Sequence, residues 1–235
     1  MSKPAATNPG PAGAGGAGGA REALLSAARE ELAVAGPSAI SLRAIARRAG
    51  VSHAAPKYHF GDRAGLLTAL AVDGFRRLLT ALEHAASTPS DTPDDQLFAL
   101  GLAYVDTGLA DPALFELMFR PELLHSDDPD LCEAQQATFA VLASAVAYAD
   151  GADGADPQAG SDTAGALPLI SWAFVHGLVV LARDGALQAA TATATGGNDT
   201  ALLLRRLTGV FANRLRHPAG HATSRRPIPQ SDGDC

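Results

Sequence analysis

The 235-residue sequence predicts an all-α protein, and its composition and spacing both favour that class. Alanine and leucine, which favour helices, are abundant, and aromatic residues make up only 5% of the chain. Runs of β-branched residues are rare. Pairs such as Thr92-Pro93, Asp111-Pro112 and Asp128-Pro129 precede apolar segments and mark helix starts, because the first residue caps and proline suits the first turn. We therefore expect about nine helices and no strand.

The apolar spacing sets the order of these helices along the chain. A first helix is predicted over 21–34, two short helices within 41–60, and a long helix over about 63–86. The later helices are predicted over about 93–109, 112–124, 129–149, 163–184 and 198–216. The polar segment 150–161 is expected to be a loop. Residues 1–20 and 217–235 are poor in apolar side chains and are expected to be disordered tails.

The stretch 41–60, SLRAIARRAGVSHAAPKYHF, has the pattern of a helix-turn-helix. Apolar residues at helical spacing predict one buried stripe, formed by Leu42, Ile45, Ala46 and Ala49. Gly50 can adopt the left-handed conformation that ends the first helix, and Ser52 is the predicted N-cap of the second. The second helix is expected to lie in the DNA major groove.

Charge is distributed unevenly along the chain. The formal net charge is -7, which taken alone argues against a nucleic-acid partner. Residues 21–63, however, hold seven Arg or Lys and four Asp or Glu, a net charge of +3 that leaves -10 for the remainder. A basic end on an acidic body is expected of a DNA-binding module joined to a core that does not bind DNA.

Cysteine usage and hydropathy point to the cytoplasm. Cys132 and Cys235 are the only cysteines, so a disulfide framework is not expected and a reducing cytosol is the default. Residues 1–20 lack the apolar core of a signal peptide. The longest apolar run, 166–182, is at the lower limit for a membrane span, about 17–25 residues. We expect it to be a helix buried by the body and a partner subunit, with no membrane as partner.

The order of residues from about Arg21 to Leu70 resembles the tetracycline-repressor (TetR) family of bacterial regulators. The resemblance is carried by the Ile-Ala-x-x-Ala-Gly-Val-Ser run at 45–52, by Tyr-His-Phe at 58–60, by Gly-Asp-Arg at 61–63 and by the leucine pair at 66–67. It implies a three-helix DNA-binding domain at 21–66, joined by the long helix to a ligand-binding and dimerisation domain at 67–216. It also implies a DNA-binding transcriptional regulator, most often a repressor.

By this resemblance, residues around the second short helix would contact double-stranded DNA. Ser52, His53 and Ala55 would face base edges. Phosphate contacts, which position the protein without specifying sequence, are expected from Ser41, Arg43, Lys57, Tyr58, His59 and Arg63. The family usually has an aromatic residue where Lys57 stands, so Lys57 would take over that phosphate contact. Two alternatives remain: Arg47 and Arg48 contact DNA or form a solvated face, and Val51, Ala54, Tyr58 and Phe60 can be ordinary core positions.

A second segment, Trp172-Ala-Phe-Val-His176-Gly177, resembles the Trp-x-x-x-His-Gly signature of one C-terminal domain type in the family. Trp172 and His176 are four residues apart and share a helix face. One interpretation places them in a pocket for an unknown small apolar effector, together with Phe98, Tyr104, Phe115, Met118, Phe119 and Phe139. In the alternative, Trp172 fills the core and His176 hydrogen-bonds a backbone carbonyl.

The last two helices are implied by the same resemblance to pack against their copies in a homodimer. A four-helix interface of this kind needs an apolar face on each helix. The sequence offers Leu169, Phe174, Leu178, Leu181, Leu203, Leu207, Val210 and Phe211.

Motifs for catalysis are absent from the sequence, which has no H-E-x-x-H, C-x-x-C or G-x-S-x-G. We therefore expect no enzyme activity, no catalytic residue, no metal and no cofactor. One alternative is an all-helical small-molecule carrier or enzyme with a non-functional helix-turn-helix, which salt-dependent DNA binding would exclude. Another is a regulator of the same fold that senses a protein partner or nothing, which an apolar pocket in the body would argue against.

Overall fold

A computed structural model of the protein describes residues 17–151, 166–187, 191–193 and 199–216. Within these ranges the regular secondary structure is helical, without a strand, which confirms the all-α prediction. A 3₁₀ turn, Pro121–Leu123, follows the sixth helix. The α-helices are α1 (Ala17–Ala39), α2 (Leu42–Arg48), α3 (Ala55–Phe60), α4 (Arg63–Ser87), α5 (Pro93–Ala110), α6 (Pro112–Met118), α7 (Pro129–Gly151), α8 (Ala166–Arg183) and α9 (Thr200–Arg216).

Two helix boundaries differ from the sequence predictions. Helix α1 begins at Ala17, so residues 17–20 belong to a helix and not to a tail. It is interrupted at Gly36, where φ is 73° and ψ is 169°, as the Gly-Pro pair predicts. The predicted helix over 112–124 instead ends at Met118. Pro121 explains that end, because proline lacks the N–H that a continuing helix needs and disfavours helical geometry in the residue before it.

Several sequence predictions fall on residues outside the described ranges. These are the tails over 1–16 and 217–235, including Cys235, and most of the loop over 150–161 and of the segment 189–197. Residues 150 and 151 lie in the described part and are the last residues of α7, not part of a loop. Residues 163–165, predicted to begin the eighth helix, are likewise outside the described ranges, and α8 is described from Ala166.

Helix α4 connects α1–α3, the unit predicted to bind DNA and called the DNA-binding unit below, to the body, defined as α5–α9. Its N-cap is Asp62, whose carboxylate accepts a hydrogen bond of 2.8 Å from the Gly65 N–H. An apolar stripe is buried along the helix and comprises Leu67, Leu70, Ala71, Gly74, Phe75, Leu78 and Leu82. Helix α4 packs against α1 and α3 at one end and against α5, α6 and α7 along the rest. One continuous core therefore runs through both parts.

The DNA-binding unit follows the predicted helix-turn-helix except at the start of α3. The Ser41 hydroxyl caps α2 by accepting from the Ala44 N–H at 3.4 Å, and Gly50 has the left-handed φ of 68° that the turn requires. The prediction that Ser52 caps α3 is wrong: Ala54 occupies the N-cap and makes no side-chain hydrogen bond. Pro56 accounts for the later start, because its ring fits only within the first turn of a helix.

Arg63 locks the DNA-binding unit onto the first turn of α4. Its guanidinium donates hydrogen bonds to the carbonyl oxygens of Pro37 at 2.6 Å, Ser38 at 3.0 Å and Ile40 at 3.3 Å. These three carbonyls belong to the connection between α1 and α2 and would otherwise lack a helical partner. The side chain that begins α4 thus fixes the position of α2.

Helix α8 is the most apolar helix of the described residues. By length and composition it could cross a membrane, and α5 with α6 would pass the same test if taken together, although they are bent by 107°. Such a result is weak evidence, because apolar helices of folded domains pass the same test. Helix α8 packs against α5, α7 and α9 and keeps an exposed side at Leu169, Ile170 and Leu181.

The close approach of α3 to α4 gives a test of the fold. A Cβ atom added at Gly65 would overlap with the backbone carbonyl of Phe60, which cannot move without shifting α3. We expect Gly65→Ala to lower the free energy of unfolding by about 3 kcal/mol, a large overpacking effect. Urea unfolding at one protein concentration measures it. Gly209→Ala is the matched control, since its Cβ would meet Phe98 at an ordinary 3.6 Å; equal stability of the two variants would contradict the prediction.

Candidate DNA-binding face and ligand cavity

Most of the residues predicted to contact DNA are accessible to solvent. The exposed ones are Ser41, Arg43, Ser52, His53, Lys57 and Tyr58. Ala55, His59 and Arg63 are half-buried. Tyr58 is 82% exposed and Ala54 is exposed, so neither is a core position. The predicted contact residues are therefore accessible to a partner, and their contact with DNA stays a prediction.

The two arginines left open by the sequence differ in their surroundings. Arg48 forms ion pairs with Glu30 at 3.1 Å and Glu31 at 3.2 Å, and these carboxylates raise the pKa of Arg48. Its charge is thus offset by α1. Arg47 is exposed, and no carboxylate of the described residues forms an ion pair with it. Of the two, Arg47 is the cation available to a phosphate.

The end of α3 is held against α1 by an aromatic contact. The Arg21 guanidinium lies over the Phe60 ring, 5.4 Å from its centroid, at cation–π distance. Phe60 is half-buried and packs against the core, so it has a structural role. The neighbouring Tyr58 and His59 rings meet edge to face at 5.0 Å on the outer side. The C-terminal end of α3 is therefore anchored to α1 through Phe60, while Tyr58 stays accessible.

A cavity of about 460 Å³ lies in the body, enclosed by α4, α5, α7, α8 and α9. Four of the residues predicted to form a pocket line it: Tyr104, Phe119, Phe139 and Trp172. The volume is in the range of small-molecule sites, about 300–1,000 Å³. Its wall is almost entirely apolar. The arrangement can hold a small apolar molecule.

The other four predicted pocket residues do not line this cavity. Phe98 packs instead against the small cluster that contains Leu97 and Ala212. Met118 faces Gly74 of α4, where the absence of a side chain leaves room for it. Phe115 and His176 lie behind the cavity wall, where their rings are 5.3 Å apart.

Sequence reasoning missed most of the residues that line the cavity. They include Ser171, Val175, Thr138, Gln135, Thr208, Phe211 and three residues of the α4 stripe, Phe75, Leu78 and Leu82. Helical spacing was an available signal for some of them, because Val175 lies three residues after the predicted Trp172, and Gln135 and Leu142 lie one turn from Phe139.

Tyr104 connects Trp172 and His176 inside the body. The Trp172 Nε1–H donates to the Tyr104 hydroxyl at 3.0 Å, and that hydroxyl lies 3.1 Å from His176 Nδ1. Burial raises the pKa of Tyr104, so the phenol keeps its proton and pairs with Nδ1 as a neutral hydroxyl. Burial, assisted by the positive charge of Arg183, lowers the pKa of His176, which suits an accepting neutral imidazole. The partner of His176 is thus a side-chain hydroxyl and not the backbone carbonyl of the sequence-based alternative.

Phe119, at the end of α6, contacts three rings from two other helices. Its centroid lies 5.4 Å from Phe75 of α4, and 4.5 Å from His176 and 6.2 Å from Trp172, both of α8. It also lines the cavity. A molecule in the cavity would therefore touch a residue at the end of α6 that packs on both α4 and α8.

The predicted dimer residues divide into two groups. Leu178 and Leu203 are buried inside the chain, 6% and 4% exposed, so their predicted placement toward a partner is corrected. Leu178 belongs to the main hydrophobic core of the chain. Leu169, Leu181 and Val210 are exposed. Phe174, Leu207 and Phe211 are half-buried, and Phe174 stacks on Phe211 at 4.0 Å, which joins α8 to α9. Dimer contact by these six residues stays a prediction.

In the part of the chain that the structure describes, no group of three His, Cys, Asp or Glu side chains is placed to hold a metal ion. The wall of the cavity likewise offers no charged group that would hold a cofactor phosphate.

Two sequence profiles match the chain. Residues 24–70 match the profile of bacterial regulatory proteins of the tetR family, and residues 97–197 match the tetracyclin repressor-like C-terminal domain. The first match covers the helix-turn-helix, and the second covers α5 to α8. A search of curated proteins found no significant match.

Solved structures share the fold over nearly their whole length. A protein of unknown function from Rhodococcus sp. RHA1 is 31% identical, with a TM-score of 0.68; the match covers 88% of this chain and 97% of that one. SCO4313, a candidate regulatory protein, is 30% identical, with a TM-score of 0.61 and coverages of 82% and 94%. PfmR, a TetR-family transcriptional regulator from Thermus thermophilus, has the same fold at 14% identity, a TM-score of 0.57 and coverages of 83% and 94%.

The lowered pKa of His176 predicts a pH dependence of stability. The ordinary pKa of histidine is about 6.5, so below that pH the unfolded chain takes up a proton that folded His176 resists. The contribution of neutral His176 to the free energy of unfolding is therefore fully present above about pH 6.5. It is lost as the pH falls toward the pKa of His176 in the folded protein.

His176→Asn, which can still accept from Tyr104 but cannot titrate, isolates this effect from the other histidines. We expect the difference in unfolding free energy between the wild type and this variant to shrink between pH 7.5 and 5.5, by less than about 1 kcal/mol because solvent reaches part of the ring. Urea unfolding at both pH values measures it. A difference in unfolding free energy that stays constant or grows would contradict the lowered pKa of His176.

Proposed function

Because the chain belongs to the tetR family of bacterial regulatory proteins, and is thus a DNA-binding transcriptional regulator, we propose that it is a cytoplasmic repressor that acts as a homodimer. The dimer binds a pseudo-palindromic operator and is released by a small apolar effector. The observation that carries this proposal is the exposed face of α2 and α3, which is joined through α4 to a body that contains an apolar cavity.

On DNA, each subunit places α3 in the major groove with half-sites about 34–36 Å, or a multiple of that, apart. Ser52, His53 and Ala55 face base edges. The small side chains at 54 and 55 permit close approach, and an alanine methyl can contact a thymine methyl. Phosphates are bound by Ser41, Arg43, Lys57, Tyr58 and His59. Arg63 contributes chiefly by holding the connection between α1 and α2, although its remaining N–H groups can also reach a phosphate.

Domain boundaries near 66 in α4 suit this function. The DNA-binding domain is 21–66 and the regulatory domain 67–216, a division supported by the helix-turn-helix that precedes the continuous helix α4. We also assign the body to the Trp-x-x-x-His-Gly type, supported by the meeting of Trp172 and His176 at the Tyr104 hydroxyl. Regulators of this family are not typically enzymes, and we propose no catalytic role for this chain.

The body communicates with the DNA-binding unit through α6. This helix turns by 107° from α5 and packs against both α1 and α4. Met118 fits against Gly74, Phe119 reaches the cavity, and Arg183 of α8 lies 3.9 Å from Glu116. An effector that favours a different position of Phe119 shifts α6 and, with it, the angle between the two DNA-binding units. The size of that shift is limited by the difference in effector affinity between the two conformations.

The homodimer forms through the exposed sides of α8 and α9. Leu169, Ile170 and Leu181 on α8, with Leu202 and Val210 on α9, are large apolar side chains exposed in the single chain. Burial of this surface by a second copy removes it from water, which is the usual driving force of such interfaces. Leu178 and Leu203 support the surface from inside.

DNA binding is tested by titrating the purified protein with its own upstream intergenic DNA at two salt concentrations. With two or three phosphate-contacting cations per subunit, the slope of log affinity against log salt should be about -4 to -5. Lys57→Ala should weaken binding and reduce the slope by about 1.8, one contact in each subunit. Arg76→Ala removes the same charge from an exposed position on α4 and serves as the control. A salt-independent affinity would favour a carrier or enzyme with a non-functional helix-turn-helix.

The dimer is tested with Val210→Glu, which places a carboxylate in the proposed apolar interface. Because an unpaired charge is costly to bury, we expect the molar mass in light scattering to fall to that of one chain. Val34→Glu changes a valine of α1 that is even more exposed, 81% against 60%, and should leave the dimer intact. If both variants stay dimeric, the interface lies elsewhere.

A further inference from the structure

We propose that the effector is an uncharged, largely apolar molecule with one hydrogen-bonding oxygen, and that the Ser171 hydroxyl recognises this oxygen. The inference rests on the proposed function, since it names the ligand class of the cavity in the body. It follows from the charge, the hydrogen bonding and the exposure of the residues that line that cavity.

The cavity wall excludes charged effectors. None of the twenty described residues that line the cavity is Asp, Glu, Lys, Arg or His. A charged group moved from water into such a site would lose its hydration without gaining a counter-ion, which is strongly unfavourable. A carboxylate, phosphate or ammonium ligand does not suit this wall.

Most buried polar groups of the wall already have partners within the protein. The Tyr104 hydroxyl is bonded by Trp172 and His176. The Thr138 hydroxyl donates to the Ala134 carbonyl at 2.8 Å, and the Thr208 hydroxyl donates to the Leu204 carbonyl at 2.9 Å. These three groups require nothing from a ligand.

Ser171 is the exception among the buried side chains of the wall. It is 2% exposed, and its Oγ has no hydrogen-bond partner in the described part of the chain. A buried hydroxyl without a partner is destabilising, and a ligand oxygen that bonds to it removes that cost. A hydroxyl both donates and accepts, so the matching group is the oxygen of an alcohol, ketone, ether or ester.

The polar residues at the exposed edge of the cavity place no further requirement on the ligand. Gln135 and Gln136 line the cavity but are exposed, so water satisfies their amides. Phe139 of α7 also lines the cavity and is partly accessible, 37% exposed, so this edge of the cavity is reached by solvent. The inner wall formed by Phe75, Leu78 and Leu100 is apolar. The ligand therefore has a single polar atom at Ser171 and an apolar remainder.

The test uses Trp172, the only tryptophan of the chain, as an intrinsic fluorescent reporter of the cavity that it lines. The full-length protein is titrated at neutral pH with 1-octanol, octanoate and octylammonium, which share chain length and differ in charge. We expect octanol to bind at least about tenfold more tightly than either ion, because the ions must be desolvated without a partner. Equal or tighter binding of octanoate or octylammonium would overturn the uncharged class.

The role of Ser171 is tested with Ser171→Ala, and Ser144→Ala on the exposed side of α7 is the matched control. Loss of one neutral hydrogen bond should weaken octanol binding by about 3- to 10-fold, while the control should leave it unchanged. Circular dichroism confirms that both variants are folded, and calorimetric titration gives the affinity independently of changes near Trp172. Unchanged octanol affinity in Ser171→Ala would overturn the assignment of Ser171.

The outcome can be separated from that of the proposed function. DNA binding by the ligand-free protein is measured in its own titration and does not involve the cavity. If the protein binds its upstream DNA in a salt-dependent manner but prefers the ionic probes, the ligand class is wrong and the regulator remains. If it prefers octanol but binds no DNA, the repressor proposal fails while the chemistry of the cavity stands.

Discussion

The buried face of α4 is the constraint on which the rest of the structure depends. The same helix fills the core of the DNA-binding unit at Leu66, Leu67 and Leu70 and the core of the body at Phe75, Leu78 and Leu82. The helix is continuous, so the two cores are joined without a flexible linker, and a shift of α4 in one of them moves its packing in the other. The cavity borders the second half of this face, which places ligand and DNA-binding unit on one rigid element.

A second feature of the body is a group of hydrogen-bonded polar side chains next to an apolar cavity. The Tyr104 hydroxyl is bonded to both Trp172 and His176, so these three polar side chains form one hydrogen-bonded group beside the apolar cavity. Trp172 lines the cavity and His176 does not, so the two residues differ in their access to a ligand. Our proposal for the ligand therefore depends on a smaller neighbour, the buried Ser171 hydroxyl, which has no hydrogen-bond partner in the described part of the chain.

Sequence patterns were sufficient for the existence of the helices and for most caps, because Ser41, Asp62, Thr92 and Asp111 act on backbone groups a few residues away; the cap of α3 was the exception. Sequence patterns were insufficient to predict which side of a helix faces the cavity, the core or the solvent, because neighbouring residues on a helix point in different directions. Leu97 lines the cavity while the predicted Phe98 does not, and Leu178 and Leu203 face the interior while Leu181 and Val210 face outward. Which side of an apolar helix is buried depends on its neighbours in space, and these cannot be read from its own period when the helix is apolar on most sides.

The contact of Arg63 with three carbonyls has a consequence for the thermodynamics of operator recognition. A DNA-binding unit whose connection is already hydrogen-bonded before it meets DNA loses little conformational entropy on docking. The heat-capacity change of association then reflects the surface buried between α3 and the groove and not the folding of a disordered segment. A rigid DNA-binding unit distinguishes operators by the contacts that a wrong base cannot make. The interface does not rearrange to replace those contacts.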